Sequence, residues 1–517
     1  MQGNELVCEQ RQARSTGLQY GVASATGMLL TMIAGRLWVG VLTPIELAAE
    51  WLIPKLPIGL FEAGLGMFGG YAKPILYVVA LVLTLALGGL IGAGYEAMLR
   101  RTLARPEKIA AGFTVVLVLL TGVVYLPAFG QGFFGAAATT GGGTTMAVYA
   151  VAYVVFGALL TVHSLLSDAR GPLGEHNPSR RRFLRRGLVV GRGVLLLAVG
   201  APIVARLLDS VSMTNLSLAE GMPAAFTPVG TFYNVSKNIV DPRVEAATWK
   251  LRVSGLVEEP FELTLDQLRA LPSETKPHTL QCISNPVGGN LIGNGEWVGV
   301  PLAALLDRAK IRPGVVDIKL TSEDGYTDSI PLVKALESGT LLAYELNGEP
   351  LTYKHGAPLR LLVPDIYGMK NAKWITSIEA VAEDFKGYWQ RQGWDDVATY
   401  QIVSQIRVPA ANTALTVGAP LMVEGLAFAG HRGIETVEYT ADGGRTWRQA
   451  DLLPEIGDDC WRFWRASWTP NAAGAVRLSV RATDGAGASQ KQAEAPPSPS
   501  GATGYHDIVV EVREAGA

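Results

Sequence analysis

Apolar positions cluster at one end of the chain. Residues 15–35 contain no Asp, Glu, Lys or Arg, and the apolar run continues past Arg36 to about Val41. Pro74 to Tyr95 is also uncharged, and 109–167 carries no Asp, Glu, Lys or Arg. A bilayer core takes about 20 apolar helical residues. The pattern therefore predicts spans near 15–41, 74–95, 109–129 and 145–166, with Gly/Thr-rich 135–145 dividing the longest run. Residues 44–73, with Pro44, Pro54 and Pro57, read as a loop or interfacial segment. A fifth apolar stretch, between Arg192 and Arg206, has an uncharged core of only 13 residues. That is short for a span and typical of a signal-peptide core.

The second half changes period. Trp249–Val257 alternates like a strand, and Leu263–Leu271 reads as a strand end followed by a helix begun near Thr264. Pro301–Ala309 is a short helix with Pro in its first turn. Val316–Thr321 is a strand leading to an Asp324-Gly325 turn. After about 399 the texture is all β: short alternating runs, turns at Asp442-Gly443-Gly444 and Asp484-Gly485, and an aromatic strand Trp461–Trp468. Residues 490–504 read as a loop before a last strand, Asp507–Val512. The expected architecture is multi-domain: an N-terminal α-helical membrane region (1–208), a mixed α/β domain (209–398) and a C-terminal immunoglobulin-like β-sandwich (399–517).

Charge sharpens this division. Residues 1–208 carry 17 Lys and Arg against 9 Asp and Glu, net +8; residues 209–517 carry 27 against 37, net −10. An acidic second half excludes nucleic-acid binding, which needs a basic face. Mean hydropathy of +0.23 and 17% charged residues exclude a disordered chain. In the first half the positive charges alternate sides: Arg11 and Arg14 before the first span, Arg100, Arg101, Arg105 and Lys108 between the second and third, Arg170 and the Arg180–Arg186 cluster before the fifth stretch. The positive-inside rule puts the N-terminus inside and, after five spans, residues 209–517 on the extracytoplasmic side. Ser179-Arg180-Arg181-Arg182-Phe183-Leu184-Arg185 matches the twin-arginine export pattern S-R-R-x-F-L-K except at the last position. Twin-arginine export moves proteins already folded, often around a cofactor. His163 is the one histidine in the spans, so no paired axial ligands for haem are expected there.

The candidate chemistry centres on Cys282, in Thr279-Leu280-Gln281-Cys282-Ile283-Ser284-Asn285-Pro286. On spacing alone it reads as a small core hydrophobe, as half of a disulfide with Cys460, or as a reactive thiolate. Three cysteines give neither a disulfide framework nor the spacing of a zinc or iron–sulfur site.

Six ordered blocks carry a resemblance: Phe232-Tyr233-Asn234; Thr279-Leu280-Gln281-Cys282 followed by Asn285; Asp324-Gly325-Tyr326 with Ser329-Ile330-Pro331-Leu332; Leu341–Gly348; His355-Gly356-Ala357-Pro358-Leu359-Arg360; and Tyr367-Gly368-Met369-Lys370 with Lys373-Trp374. Residues 225–396 resemble the molybdenum-cofactor domain of the sulfite oxidase family, and 399–515 the immunoglobulin-like domain that follows it there. The resemblance implies a molybdenum–molybdopterin cofactor and two-electron oxygen-atom transfer. Cys282 matches the thiolate ligand of the metal, and Tyr326 the active-site tyrosine. Tyr233 and Asn234 match positions near the pterin, Thr321 a residue behind the metal, and His355, Arg360, Gly368, Met369 and Lys370 the remaining cofactor contacts. Arg360 and Lys370 are the residue types that suit a phosphate. The implied partners are a small oxo-acceptor or oxo-donor substrate and a separate electron-transfer partner, a cytochrome or quinone-linked protein. The β-sandwich is the candidate surface for a homodimer.

The departures concern substrate. Sulfite oxidases follow the cysteine with Cys-Ala-Gly-Asn-Arg-Arg; here the run is Cys282-Ile283-Ser284-Asn285-Pro286-Val287. Val235-Ser236-Lys237-Asn238 replaces an upstream arginine and histidine. Lys237 and Arg391 are the candidate substitutes. A methionine-sulfoxide-reductase-type enzyme, which also lacks the arginine and uses twin-arginine export, is the alternative; a cofactor-free membrane receptor or adhesion module is the alternative from a different class.

Twin-arginine receptors read the arginine pair itself, so the double change Arg180→Lys, Arg181→Lys should leave residues 209–517 inside the cell with the earlier spans inserted. Protease accessibility from outside checks this; unchanged cleavage would reduce the cluster to a positive-inside signal.

Overall fold

The computed structural model describes residues 2–52, 55, 72–102, 105–138, 140–167, 201, 205, 221–238 and 240–514, with 2–16, 72–74 and 166–167 described by their backbone. The twin-arginine motif, and the fifth apolar stretch apart from Ala201 and Ala205, lie outside the described residues. The described residues form two compact units. One takes those of Met1–Leu56, Tyr71–Ser212 and Asn238–Asp241; the other takes those of Met213–Lys237 and Pro242–Ala517.

The first unit contains α1 (Gln2–Val39), α2 (Pro44–Leu52), α3 (Ala72–Arg101), α4 (Pro106–Leu120) and α5 (Gly142–Ser167). Among the described residues four segments are long and apolar enough to cross a membrane: Gly17–Val39, Ile75–Arg101, Pro106–Ala128 and Gly142–Leu165. They coincide with the four spans expected from hydropathy. Glycine sets how α1 and α3 meet. A Cβ on Gly21 would lie 2.2 Å from the Gly88 carbonyl oxygen, and one on Gly92 would lie 2.4 Å from the Gly21 Cα. Gly17 and Gly21, like Gly88 and Gly92, are four residues apart, so each pair shares one helix face and the backbones touch.

Part of the expected loop at 44–73 is helical. Thr43 and Glu46 form a reciprocal cap: the Thr43 backbone N–H donates to Glu46 Oε2 at 3.0 Å, and the Glu46 N–H donates to Thr43 Oγ1 at 3.3 Å. Thr43-Pro44-Ile45-Glu46 is thus a capping box with Pro at the first helical position, where a missing N–H costs nothing. Counting prolines as loop markers hid it. Glu46 also accepts from Arg36 Nε at 2.7 Å, and Arg36 Nη2 donates to the Val240 carbonyl at 2.6 Å. Val240 is buried with Ile33, Leu37, Ile45, Ala49 and Tyr77. His163 stacks on Tyr20 at 4.9 Å and reaches Ser24 Oγ at 3.4 Å.

The second unit is mostly sheet. A mixed sheet orders β2 (Phe261–Thr264), β1 (Lys250–Gly255), β10 (Ile375–Val381), β5 (Asp317–Ser322) and β6 (Thr327–Pro331), with β1 and β10 parallel. An antiparallel sheet orders β3 (Glu274–Gln281), β4 (Ile292–Pro301), β7 (Leu341–Leu346) and β8 (Glu349–Pro350), with β9 (Arg360–Leu362) also on β7. The expected short helices are present: Leu265–Arg269, capped by Thr264, and Leu302–Ala309, preceded by Pro301.

Two further sheets follow. One orders β11 (Val403–Val408), β13 (Leu421–Phe428), β17 (Arg462–Trp468) and β16 (Asp451–Leu452). The other orders β12 (Ala414–Thr416), β19 (His506–Arg513), β18 (Gly474–Asp484), β14 (Ile434–Thr440) and β15 (Arg448–Gln449). Alternating residues of both close one core, including Val423, Trp464, Trp468, Val437, Val480 and Val510. The sequence reading parts the chain at 398. In the structure Leu426, Phe428 and Trp461 join the larger core cluster of the preceding sheets, which is why 242–517 packs as one unit.

If α1 and α3 cross through glycine, Gly21→Leu should lower the thermal midpoint of the detergent-solubilised protein, since overpacking of this kind costs about 1–3 kcal/mol. Gly94 has nothing within 4 Å of an added Cβ, so Gly94→Ala is the control and should not lower it. Equal midpoints for the two variants would disprove the close crossing.

Candidate cofactor and active site

Cys282 stands where β3 ends. Its backbone N–H donates to the Leu291 carbonyl at 2.9 Å, and Asn285 Oδ1 accepts from the Leu291 N–H at 2.9 Å, so residues 282–291 form a closed loop. The Cys282 side chain is buried, and its Sγ lies 3.0 Å from Ser284 Oγ. Cys282 and Cys460 are not joined by a disulfide. Burial pushes the Cys460 thiol up to about 12, the behaviour of an inert core thiol.

Tyr233 is held in electrostatic reach of both Cys282 and Arg360, and burial raises its hydroxyl well above the usual phenol range. Gly368 comes so close that a Cβ there would lie 2.5 Å from the Tyr233 hydroxyl and 3.3 Å from the Gln281 carbonyl. This is one position where the absence of a side chain is needed. The turn Gly368–Lys370 is thereby pressed against the strand end that carries Cys282.

Arg360 is 5% exposed. Its Nη1 donates to the His355 carbonyl at 3.1 Å and Nη2 to the Asn371 carbonyl at 3.4 Å, while its Nε has no partner among the described residues. Gln281 Oε1 is likewise buried without a partner among them. Burial pushes the guanidinium down to about 10, so it remains cationic at neutral pH. A buried cation fixed by neutral carbonyls, with its Nε–H unspent, suits an anionic group brought from outside. His355 is buried, edge-on to Phe232 at 5.7 Å, with Nε2 at 2.9 Å from the Val229 carbonyl. A carbonyl only accepts, so Nε2 carries the proton.

Asn234 is buried, and its Oδ1 accepts from Lys373 Nζ at 2.7 Å. Lys373 also donates to the Lys354 carbonyl at 3.0 Å and pairs with Arg360 in an isolated bridge. Lys370 is placed differently from the phosphate-facing role given to it by sequence. Its side chain is 2% exposed, and its ammonium donates to Asp328 Oδ1 at 3.2 Å, the Ser329 carbonyl at 2.9 Å and Asp396 Oδ1 at 3.2 Å. Lys373 is the lysine that stands with Asn234 and Arg360. It was visible only as part of Lys373-Trp374, where sequence says nothing about side-chain direction.

Tyr326 is buried, and its hydroxyl proton is shared between Asp328 Oδ2 and the Met369 carbonyl, each at 2.8 Å. Burial, with the Asp328 charge second, raises it well above the usual phenol range. Burial also raises the Asp328 carboxyl, against the opposing pull of Lys370. Thr321 lies on β5 opposite Thr327, its carbonyl accepting from Thr376 Oγ1 at 3.3 Å. The structure thus shows two groups joined by the Gly368–Lys370 turn: Cys282, Tyr233, Asn234, His355, Arg360 and Lys373 on one side, Tyr326, Asp328, Lys370 and Asp396 on the other. Asp328 and Asp396 were missed by sequence reasoning; nothing in their local pattern marks them.

The expected substrate-side cations are both engaged. Lys237 Nζ lies 3.9 Å from Asp324 Oδ2 and 5.9 Å over the Tyr388 ring. Arg391 Nη1 donates to the Lys386 carbonyl at the surface.

Comparison with known proteins identifies the family. Residues 238–389 match the family model described as an oxidoreductase molybdopterin binding domain, and 395–498 the Mo-co oxidoreductase dimerisation domain. The chain is 30% identical to a sulfite oxidase of Arabidopsis thaliana over 279 residues, covering 45% of this chain and 71% of that protein. It is 35% identical to an uncharacterized oxidoreductase, YuiH, of Bacillus subtilis over 146 residues, 28% of this chain and 72% of that one. Against the mitochondrial sulfite oxidase of Drosophila melanogaster it is 28% identical, covering 50% of this chain and only 54% of that protein. In fold it is similar to the sulfane dehydrogenase SoxCD of Paracoccus pantotrophus, with a TM-score of 0.50 at 22% identity over 57% of this chain and 85% of that one. The chain belongs to the sulfite oxidase family of molybdopterin-dependent oxidoreductases.

Proposed function

We propose that the protein is a membrane-anchored, extracytoplasmic oxidoreductase that moves one oxygen atom to or from a small, uncharged substrate and exchanges two electrons with a separate redox protein. The burial of Arg360 with no carboxylate partner among the described residues carries this reading, because it suits an anion site, and Tyr233 lies in electrostatic reach of both Arg360 and Cys282. When bound there, molybdenum–molybdopterin supplies two-electron oxygen-atom transfer. The chain's own residues do the rest. Arg360 neutralises the pterin phosphate. Tyr233, Asn234, His355 and the Gly368 turn bound the space, with Lys373 taking the contact that sequence gives to Lys370. Cys282 offers a soft thiolate to the metal, and Ser284 Oγ can donate to that sulfur. Tyr326 orients the substrate from the Met369 side, and Thr321 backs the sheet behind it.

An uncharged substrate follows from the charge balance around Tyr326. Lys237 faces Asp324, and Lys370 faces Asp328 and Asp396. Binding a dianion such as sulfite in a desolvated pocket needs compensating positive charge. A reductase of sulfoxide- or N-oxide-type substrates fits this balance.

Location rests on three supports. Four helices are long and apolar enough to span, and basic residues alternate along them. The third is Arg36, near the end of the first span, which bonds the Val240 carbonyl. These two ends then share one side of the membrane, which requires an odd number of spans between a cytoplasmic N-terminus and residue 240. The sequence offers one candidate for the fifth, the uncharged stretch between Arg192 and Arg206. The immunoglobulin-like sandwich over 399–517 is the proposed dimer surface, in keeping with the family model matched there.

Two variants separate the metal from the pterin. Cys282→Ser should abolish activity yet keep pterin. Arg360→Met should lose pterin, and should raise the thermal midpoint of cofactor-free protein by removing an unpaired buried charge, worth about 1–4 kcal/mol by analogy with buried ion pairs. Pterin assay and calorimetry check both; full activity in Cys282→Ser, or molybdenum-free wild-type protein, would overturn the assignment.

Sulfite should be a poor substrate. A missing charge-assisted contact costs roughly 1.5–3 kcal/mol, about 10- to 150-fold in affinity. Sulfite-dependent reduction of an artificial acceptor, set beside reduction of a neutral sulfoxide or N-oxide, measures this. Tight saturation by sulfite would make it the natural substrate.

A further inference from the structure

Oxygen-atom transfer from water to a substrate releases two electrons and two protons, and the reverse reaction consumes them. The electrons go to the redox partner. The protons need a path through a protein interior that excludes water, and the second group of residues is arranged as one.

From the Tyr326 hydroxyl the contacts run to Asp328 Oδ2 at 2.8 Å, from Asp328 Oδ1 to Lys370 Nζ at 3.2 Å, and from Lys370 Nζ to Asp396 Oδ1 at 3.2 Å. Asp396 Oδ2 accepts from Lys386 at 2.7 Å. Exposure rises along this line: Asp328 is 0%, Lys370 2%, Asp396 37% and Lys386 44% exposed at the side chain. The groups alternate acid and base and end at solvent. We propose that Tyr326, Asp328, Lys370 and Asp396 form a proton relay between the substrate site and the surface. This inference rests on the reading of Tyr326 as the residue that faces the substrate.

The step balances. Tyr326 gives its proton to Asp328 Oδ2 and is reprotonated from the reacting side. Lys370 gives a proton to Asp396, which releases it to solvent, and Asp328, after a half-turn about Cβ–Cγ, returns one to Lys370. Every group ends as it began and one proton has crossed; reversed, the same moves deliver a proton. The opposed environments help. Burial raises the Asp328 carboxyl, so it can hold a proton transiently, whereas Lys386 and Lys370 outweigh burial at Asp396 and hold it below the usual carboxylate range, so it gives a proton up readily. The other ionisable groups around the phenol are Asp324 and Tyr388, with Lys237 paired to Asp324. A buried ion pair is weak evidence for stability, because desolvation offsets its attraction. A transport role accounts for its retention.

The variants to make are Asp396→Asn, which is at the half-open end and need not disturb the core, Asp396→Glu, and Tyr326→Phe as an assignment control. The first measurement needs no cofactor. In the infrared spectrum the Tyr326 phenol band, identified by its loss in Tyr326→Phe, should shift quickly on dilution into D2O in the wild type and about tenfold more slowly in Asp396→Asn. In loaded enzyme, Asp396→Asn should keep molybdenum content and KM, lower kcat about tenfold and enlarge the solvent isotope effect, with Asp396→Glu restoring all three. Equal Tyr326 exchange rates in wild type and Asp396→Asn, or a kcat loss that tracks lost molybdenum without rescue by Glu, would overturn the relay. Wild-type protein without molybdenum or turnover would count against the proposed function instead, and the exchange measurement would then decide the relay alone.

Discussion

A full positive charge buried without a counter-charge is the constraint from which the cofactor region is built. The Arg360 guanidinium sits at the start of β9, bonded to the carbonyls of His355 and Asn371 and facing Trp297 at 5.0 Å. Such a charge is tolerable only if the surrounding dipoles are fixed and the remaining donor meets an anion. The first condition explains the local chain: His355 is tied through Nε2 to Val229, and the Asn371 amide donates to the Ile366 and Tyr367 carbonyls while its Oδ1 accepts from the Val363 N–H. The second is what the proposed cofactor site would satisfy. Polar groups that would be a defect in an ordinary core suit a receptor for an anion.

The Gly368–Lys370 turn couples that receptor to the neighbouring chemistry. Its first residue must be glycine because Tyr233 and Gln281 leave no room for a Cβ. Its second offers a carbonyl to Tyr326, and its third inserts an ammonium between two carboxylates. Three consecutive residues therefore set the distance between the Tyr233–Cys282 side and the Tyr326–Asp328 side of the turn. A shift of this turn alters both at once, so the residues that hold it matter as much as those that react.

Much of this was legible in the sequence, for physical reasons that differ by region. Uncharged runs of helical length specify spans because lipid offers no alternative partner to backbone or charge. Strands and caps such as Thr264 with Gln267 were readable because period and cap chemistry are local. Cys282, Arg360 and His355 emerged from ordered motifs. What failed was direction and depth. Lys370 and Lys373 are three residues apart in one loop, and only the fold turns the first toward Asp328 and the second toward Asn234. Asp328 reads as one more polar residue on a strand, though it is fully buried. The helix at Pro44–Leu52 was lost because its prolines outweighed a capping box that was present in plain letters.

The placement of Asn238–Asp241 has a consequence for how the protein is assembled. These residues pack with the apolar helices, whereas the described residues just before them and those after belong to the other unit. Their docking site, made of Arg36, Glu46 and apolar side chains as far along the chain as Tyr77, is synthesised early, but the segment that completes it arrives some hundred and sixty residues later. The helical unit is therefore complete only when residues 238–241 have been made. A fragment that begins after the helices would carry Val240 without the apolar side chains it packs on, and the helices alone would leave the Arg36 guanidinium without the Val240 carbonyl.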